Sequence, residues 1–260
     1  MTKSDLFDLT GKVALITGST KGIGRAIAEA MAAHGAKVVI SSRKAPKCDE
    51  VAAAIKAQGG EAIAIPCDVS KLANLDDLVA KSVDHYKRID ILVCNAAVNP
   101  YFGPMAGAGE EAYDRIMGAN VKSNLWLCNK VIPAMAERKD GAVIIVSSVA
   151  GLKGNDKLGI YGISKAADFQ IARNLAVEWG RSNIRVNCIA PAIIKTDFAR
   201  ALWENADIYK QAIESYPLGR IGEPAEVAGV AVMLAAKAGS FITGQSIVVD
   251  GGSMISGGRY

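Results

Sequence analysis

Val13-Ala14-Leu15-Ile16-Thr17-Gly18-Ser19-Thr20-Lys21-Gly22-Ile23-Gly24 is the stretch that decides how this chain folds. Val13 to Thr17 read as a buried strand, and a helical pattern near 22–34 follows directly. Between them the glycines are spaced Gly-x-x-x-Gly-x-Gly. Glycine at such points permits a tight turn, close approach of the backbone to a diphosphate, and close packing of helix on strand. Free amides at the helix start and the helix dipole then attract the anion. Gly18, Ser19, Thr20, Lys21, Gly22, Ile23 and Gly24 are therefore read as a nucleotide-binding loop.

The same strand-then-helix rhythm runs along the whole chain. Apolar, β-branched runs predict strands at Val13–Thr17, Lys37–Ser41, Glu61–Pro66, Ile89–Cys94, Ala142–Ser147, Ile184–Ile189 and Ser246–Val249. Amphipathic patterns predict helices near 22–34, 45–58, 71–87, 110–137, 159–180 and 224–236. Alternation of this kind implies parallel strands joined by right-handed crossovers, with helices on both faces of the sheet. No repeat, low-complexity segment or linker interrupts residues 1–260, so one domain is expected. The conspicuous insertion is 192–223, between the sixth strand and the last long helix.

The end of the second predicted strand bears on which dinucleotide is preferred. An acid there accepts from the adenosine ribose hydroxyls of NAD. This chain has Ser41-Ser42-Arg43-Lys44 instead, with Lys21 in the glycine loop as a second cation. Arg43 and Lys21 would bind a 2′-phosphate through charge-assisted hydrogen bonds, and a carboxylate would repel it. NADP(H) is favoured, with NAD(H) the alternative. Both cations are also compatible with ordinary loop positions.

Ser148, Tyr161 and Lys165 fall within one stretch, SVAGLKGNDKLGIYGISK. Of the seven tyrosines, Tyr161 alone has a lysine four residues on, which places the pair on one helical face. A free phenol titrates near 10, too high for proton transfer close to neutrality. A neighbouring ammonium favours the phenolate and brings it down. Ser148 supplies a hydroxyl to orient the oxygen that gains or loses the proton. Ser147 is adjacent, and only the spacing to Tyr161 selects Ser148.

Composition excludes several classes. The net charge of +4 comes from scattered Lys and Arg residues, not from a nucleic-acid-binding stripe. No apolar run spans a bilayer. The start, MTKSDLFDLTGK, is not a secretory signal, and the end, GGRY, is not a peroxisomal address, so a cytoplasmic location is expected. His34 and His85 stand alone, and the five cysteines are far apart, so no metal site is expected. Four cysteines read as small apolar fillers, and Cys48 as exposed.

Together these motifs resemble the short-chain dehydrogenase/reductase family in its compact subtype, over nearly the whole chain. The resemblance implies a Rossmann-type, doubly wound, seven-stranded and mostly parallel sheet. Asp68-Val69 is similar to the acid and its neighbour that follow the third strand and contact the adenine. Asn95-Ala96-Ala97 falls where Asn-Ala-Gly is usual, with Ala97 as a departure. Asn120 matches the family's catalytic Asn, which would hold a water linking Lys165 to solvent. Pro191-Ala192-Ile193-Ile194-Lys195-Thr196 resembles Pro-Gly-x-x-x-Thr, so that Pro191, Ile194 and Thr196 would hold the nicotinamide carboxamide, with Ala192 replacing Gly. Tyr161 becomes the general acid or base, Ser148 the polariser of the substrate oxygen, and Lys165 also a holder of the nicotinamide ribose. NAAVNP, IRVNCIAP and ITGQSIVVD look like the NADP-dependent carbonyl reductase and retinol dehydrogenase branch, the member-4-like dehydrogenase/reductases.

The resemblance implies a homotetramer with Phe169, Ala172, Leu175 and Ala176 at one interface, although core packing accounts for the same four. Leu202, Trp203, Tyr209, Ile213 and Tyr216 of the insertion, with Tyr101 and Phe102, are candidates for an apolar substrate pocket under a lid. The expected substrate is a small carbonyl compound or secondary alcohol. The alternatives are a 3-oxoacyl-thioester reductase that receives an acidic carrier protein, an NAD-linked alcohol dehydrogenase, and a catalytically silent dinucleotide-binding protein.

Overall fold

The structure, a computed structural model, describes residues 5–256, apart from the side chains of Ile208, Gln211 and Ala212. The C-terminal Gly-Gly-Arg-Tyr lies outside the described residues. Seven strands form one sheet in the order β3-β2-β1-β4-β5-β6-β7. They are β1 (Val13–Thr17), β2 (Lys37–Ser41), β3 (Glu61–Ala64), β4 (Ile91–Cys94), β5 (Gly141–Val146), β6 (Ile184–Pro191) and β7 (Ser246–Val249). All six neighbouring pairs are parallel. The order reverses between β1 and β4, and ligands of open α/β sheets bind outside the strand ends at such a point.

Five strand ends differ from expectation: β5 is shifted by one residue at both ends, Gly141–Val146 for the expected Ala142–Ser147, and the other three ends differ for local reasons. β3 stops at Ala64, short of Pro66, which has no N–H for a ladder. β4 begins at Ile91, because the Asp90 carboxylate beside it accepts from the Val13 N–H at 3.0 Å and binds Arg88. β6 runs on to Pro191 because β7 continues alongside it, Pro191 facing Val249.

Helices cover both faces. One face carries α1 (Gly22–Ala33), α2 (Ala45–Ala57) and, late in the chain, α9 (Pro224–Ala235); their apolar sides bury Ile27, Met31, Val51, Ile55, Val227 and Ala231 against the sheet. The other carries α3 (Leu72–Tyr86), α5 (Ser123–Glu137) and α6 (Gly159–Trp179), which bury Leu75, Leu78, Leu127, Val131, Phe169 and Leu175. Strands sandwiched in this way are buried along their whole length, as β1 and β5 are.

Two expectations are corrected by this packing. Cys48 is buried, not exposed, since it falls on the inner face of α2 with Val51, Ala52 and Ile55, where its Sγ lies 3.6 Å from the Ser42 carbonyl. Phe169, Ala172, Leu175 and Ala176 belong to the chain's own core against the sheet, leaving none of them as an interface residue on the surface.

The long helix predicted over 110–137 is not one regular helix. α4 (Glu110–Met117) passes into a π-helical turn, Gly118–Lys122, before α5 resumes. A wide turn of this kind often marks a functional position, and Asn120 stands at its centre. The insertion 192–223 forms a short 3₁₀ turn at Asp197–Ala199, then α7 (Arg200–Trp203) and α8 (Ala206–Glu214). No helix among the described residues is long and apolar enough to cross a membrane.

Candidate active site

The glycine loop is pinned by neighbouring side chains. Thr17 Oγ1 accepts from the backbone N–H groups of Asn95 and Ala96, both at 3.1 Å. Asn95 Nδ2 donates to the Thr17 carbonyl at 2.9 Å and the Gly18 carbonyl at 3.1 Å. Ser19 is fully buried: its hydroxyl donates to the Ile16 carbonyl and accepts from the Ser41 N–H, both at 2.8 Å. The Asn95 amide and the Ser19 hydroxyl therefore shape the loop from behind. Gly18 has φ +66°, and a Cβ there would lie 2.9 Å from Asn95 Nδ2. At Gly24 a Cβ would lie 2.3 Å from the same nitrogen and 2.4 Å from the Gly18 oxygen, so no side chain fits.

No side chain caps the start of α1, which leaves its first amides available to a ligand. The chain's residues fit a dinucleotide here: a glycine cradle without room for Cβ atoms, an uncapped helix N-terminus, and an exposed Arg43 beyond β2. Asn99 Oδ1, in the segment after β4, is buried without a hydrogen-bond partner, an acceptor left for a ligand to satisfy.

Lys21 has a partner that the sequence did not suggest. Its Nζ lies 3.7 Å from Asp197 Oδ2, joining the glycine loop to the insertion, with both side chains exposed. Asp68 closes a local turn, accepting from Ser70 N–H at 3.1 Å and Ser70 Oγ at 2.8 Å. Partial burial works against its charge, but Ser70, Arg43 and Lys71 together hold its carboxyl below the usual value. Val69 packs half-buried against the second core. Ala97 is half-buried after β4, Pro191 ends β6, and Ile194 is buried, with its backbone bridged to Gly222. Thr196 lies beside the glycine loop, where its Cγ2 would be 3.1 Å from a Cβ on Gly22.

The catalytic candidates converge where β5 meets α6. Ser148 follows β5 in extended conformation, and its Oγ accepts from the Ala150 N–H at 3.1 Å. Ser147 is buried, and its hydroxyl donates to the Lys165 carbonyl at 2.7 Å. One serine is thus committed to the fold and the next is left at the site. The short turn after Ser148 packs tightly on α6, for a Cβ on Gly151 would come within 2.6 Å of the Lys165 backbone.

Tyr161 is half-buried in the first turn of α6, and Lys165, one turn on, is 1% exposed. Lys165 Nζ sits 5.8 Å from the Tyr161 ring centroid. It donates to the Val146 carbonyl at 2.9 Å and to Asp168 Oδ2 at 3.1 Å. Burial favours a neutral amine at Lys165, but Asp168 and Tyr161 outweigh it and hold the ammonium above its ordinary value. The phenol behaves differently from expectation. Burial pushes Tyr161 up; Lys165 and a hydrogen bond with Ser148 pull it down, Asp168 pushes it up again, and the net shift is upward. The ammonium acts in the expected direction, but desolvation is the larger effect.

Asn120 is fully buried with its side chain fully engaged. Oδ1 accepts from the Val98 N–H at 2.8 Å, while Nδ2 donates to the Val98 carbonyl at 3.0 Å and to Ser164 Oγ at 3.1 Å. The amide therefore ties the π turn to the segment after β4 and to α6.

Of the proposed pocket residues, Tyr216 is buried and its hydroxyl accepts from the Ile193 N–H at 3.2 Å, a packing role. Trp203 Nε1 donates to the Thr196 carbonyl at 2.9 Å, which anchors α7 to the segment that follows β6. Leu202, Tyr209 and Ile213 are half-buried. Tyr101 donates to the Pro104 carbonyl at 2.8 Å, and Phe102 is exposed beneath the Lys157 ammonium. The sequence reading missed Phe198, whose ring centroid lies 6.2 Å from that of Tyr161, because nothing in its local pattern points to α6. It also missed Asp168 and Asn124, although their spacings from Lys165 and Asn120 were visible. Among the described residues no group of His, Cys, Asp and Glu gathers to hold a metal ion.

Comparison with known proteins extends this geometry. A family described as enoyl-(acyl carrier protein) reductase matches residues 18–254. The bovine dehydrogenase/reductase SDR family member 4 is 43% identical over 246 residues, covering 95% of this chain and 88% of that protein. A 7α-hydroxysteroid dehydrogenase solved with NADH and 7-oxo glycochenodeoxycholic acid is similar at TM-score 0.93 and 34% identity, covering 97% and 98% of the two chains. A gluconate 5-dehydrogenase from Burkholderia cenocepacia, solved with NADP and tartrate, gives TM-score 0.94 at 29% identity, covering 98% and 100%.

Proposed function

The chain belongs to the short-chain dehydrogenase/reductase family of oxidoreductases, and from that premise we propose that it interconverts a carbonyl compound and a secondary alcohol with NADP(H). The observation that carries this reading is the meeting of Ser148, Tyr161 and Lys165 beside a glycine cradle at the strand ends. A nicotinamide cofactor, when bound, supplies or accepts the hydride, which no side chain can do. Gly18 to Gly24 and the amides opening α1 would hold its diphosphate, and Arg43 with Lys21 its 2′-phosphate. The Asn99 amide oxygen would receive a donor.

The chain's own groups handle the proton. In reduction the Tyr161 hydroxyl gives its proton to the substrate oxygen as negative charge develops there; in oxidation the phenolate takes it back. The Ser148 hydroxyl donates to the same oxygen and fixes its position. An aimed donor of this kind is worth about 3 kcal/mol in the transition state. The Lys165 ammonium favours the phenolate when the proton has left, opposing the burial that favours the phenol. Phe198 and the insertion offer apolar contact, which suits a neutral, partly apolar substrate. A homotetramer is part of the same proposal, with exposed Ile163 and Val177 of α6 in place of the core residues first suggested.

A screen of ketones and aldehydes with NADPH, repeated with NADH, tests this reading. Turnover with a preference for NADPH supports it; tight binding without turnover across the panel would favour a catalytically silent protein. The acyl-thioester reading has one observation of its own, the description of the matching family. Reduction of 3-oxoacyl thioesters on acyl carrier protein, with weak activity on free ketones, would establish it instead.

A further inference from the structure

Beside the proton-transfer groups lies a buried carboxylate that the chemistry above does not use. Asp168 is fully buried on α6, three residues after Lys165. Its Oδ2 accepts from Lys165 Nζ at 3.1 Å and its Oδ1 from Asn124 Nδ2 at 3.0 Å. Asn124 Nδ2 also donates to the Asn120 carbonyl at 2.6 Å. The Lys165 ammonium completes the series at the Val146 carbonyl, 2.9 Å away. One unbroken line of hydrogen bonds therefore runs from the wide helical turn, through Asn124, Asp168 and Lys165, to the end of β5.

Two physical consequences follow. A lysine head on a four-carbon stem has many rotamers, and two fixed acceptors select one of them. A buried ammonium beside a carboxylate also presents less net charge to a third group than it would alone, because the two fields oppose each other at short range. Tyr161 is that third group. The other titratable groups near Asp168 are thiols: Cys188 of β6, which donates to the Asp168 backbone carbonyl at 3.3 Å, and Cys94 of β4. Burial and Asp168 push the Cys188 thiol up, while a hydrogen bond with Cys128 of α5 and burial push Cys94 up, so both stay neutral. Lys165 and Tyr161 are left as the partners that answer to the carboxylate.

We propose that Asp168 is a positioning residue of this site, acting through Lys165: it clamps the ammonium against the Val146 carbonyl and sets the charge that Tyr161 feels. The proposal rests on the reading of Tyr161 as the proton-transfer group and adds to it a residue that touches neither substrate nor cofactor.

Ultraviolet difference titration of phenolate formation tests it in the protein without cofactor or substrate, with the Tyr161→Phe spectrum subtracted to isolate Tyr161. Asp168→Asn keeps the shape and removes the charge that holds Lys165 protonated against its burial, so the amine goes neutral and no longer draws the phenol down. The Tyr161 phenolate should then form only at higher pH than in the wild type, because the pull of the Lys165 charge outweighs the push of Asp168. Asp168→Leu fills the same space with hydrocarbon and serves as the second variant should the Asn variant fail to fold; the same upward shift is expected. A Tyr161 titration unmoved in a folded variant would overturn the proposal and leave Asp168 as a structural ion-pair partner. Turnover plays no part in the measurement. A protein that reduces no carbonyl yet shows the shift loses the functional reading and keeps this one; turnover without the shift does the reverse.

Discussion

The ring of Phe198 lies 6.2 Å from that of Tyr161, tilted by 39°, although the two belong to segments on opposite sides of β6. The insertion thus supplies one wall beside the Tyr161 ring. Phe198 is 57% exposed, so most of its apolar surface is free to meet a substrate. Phe198→Ala should raise KM for apolar ketones about fivefold, the loss of roughly 1 kcal/mol of ring contact, with kcat nearly unchanged. Steady-state kinetics on ketones of increasing apolar size checks this, and the loss should grow with size.

The titration of Tyr161 gives opposite pH profiles for the two directions. Burial places its folded value above that of a free phenol. Reduction needs the protonated phenol, so its kcat/KM should hold through neutrality and fall only as pH rises through the alkaline range. Oxidation needs the phenolate and should climb over the same range. Parallel profiles in both directions would remove Tyr161 as the shared group.

Arg43 is exposed and Lys21 already faces Asp197 at 3.7 Å, so the two cations should not contribute equally. Arg43→Ala should weaken NADPH about tenfold or more, the loss of a charge-assisted contact, and leave NADH nearly unchanged. Lys21→Ala should cost less. Fluorescence titration of both cofactors against both variants measures the difference.

Gly24→Ala forces a methyl group to within 2.4 Å of the Gly18 oxygen. The loop must shift away from Asn95, costing about 1–3 kcal/mol of stability, and the cradle opens. Urea unfolding should show the loss, and NADPH binding should weaken with it.

Much of this arrangement was legible from local pattern. The Gly18–Gly24 spacing and apolar β1 announced strand, loop and helix because each is a short-range physical requirement, and the four-residue step from Tyr161 to Lys165 is helical geometry. What was not legible depended on partners distant in sequence. Cys48 looked exposed beside Lys47 and Asp49, yet the face of α2 it shares with Val51 and Ile55 decided its burial. The wide turn at Gly118–Lys122 leaves no mark in an amphipathic pattern that continues on both sides. Asn120 fitted a catalytic motif equally well whether its amide was free or bonded to Val98, and only the structure distinguishes these. The upward shift of Tyr161 reflects desolvation, which needs the packed surroundings to be known.

The central claim is that Tyr161 transfers the proton and does not build the cofactor site. Replacing Tyr161 with Phe and measuring carbonyl reduction together with NADPH affinity separates the two. The account predicts that turnover falls by about a thousandfold or more, as expected for loss of an acid–base group, while NADPH affinity stays within about threefold of the wild type. Turnover that survives, or affinity that collapses along with it, would contradict the account.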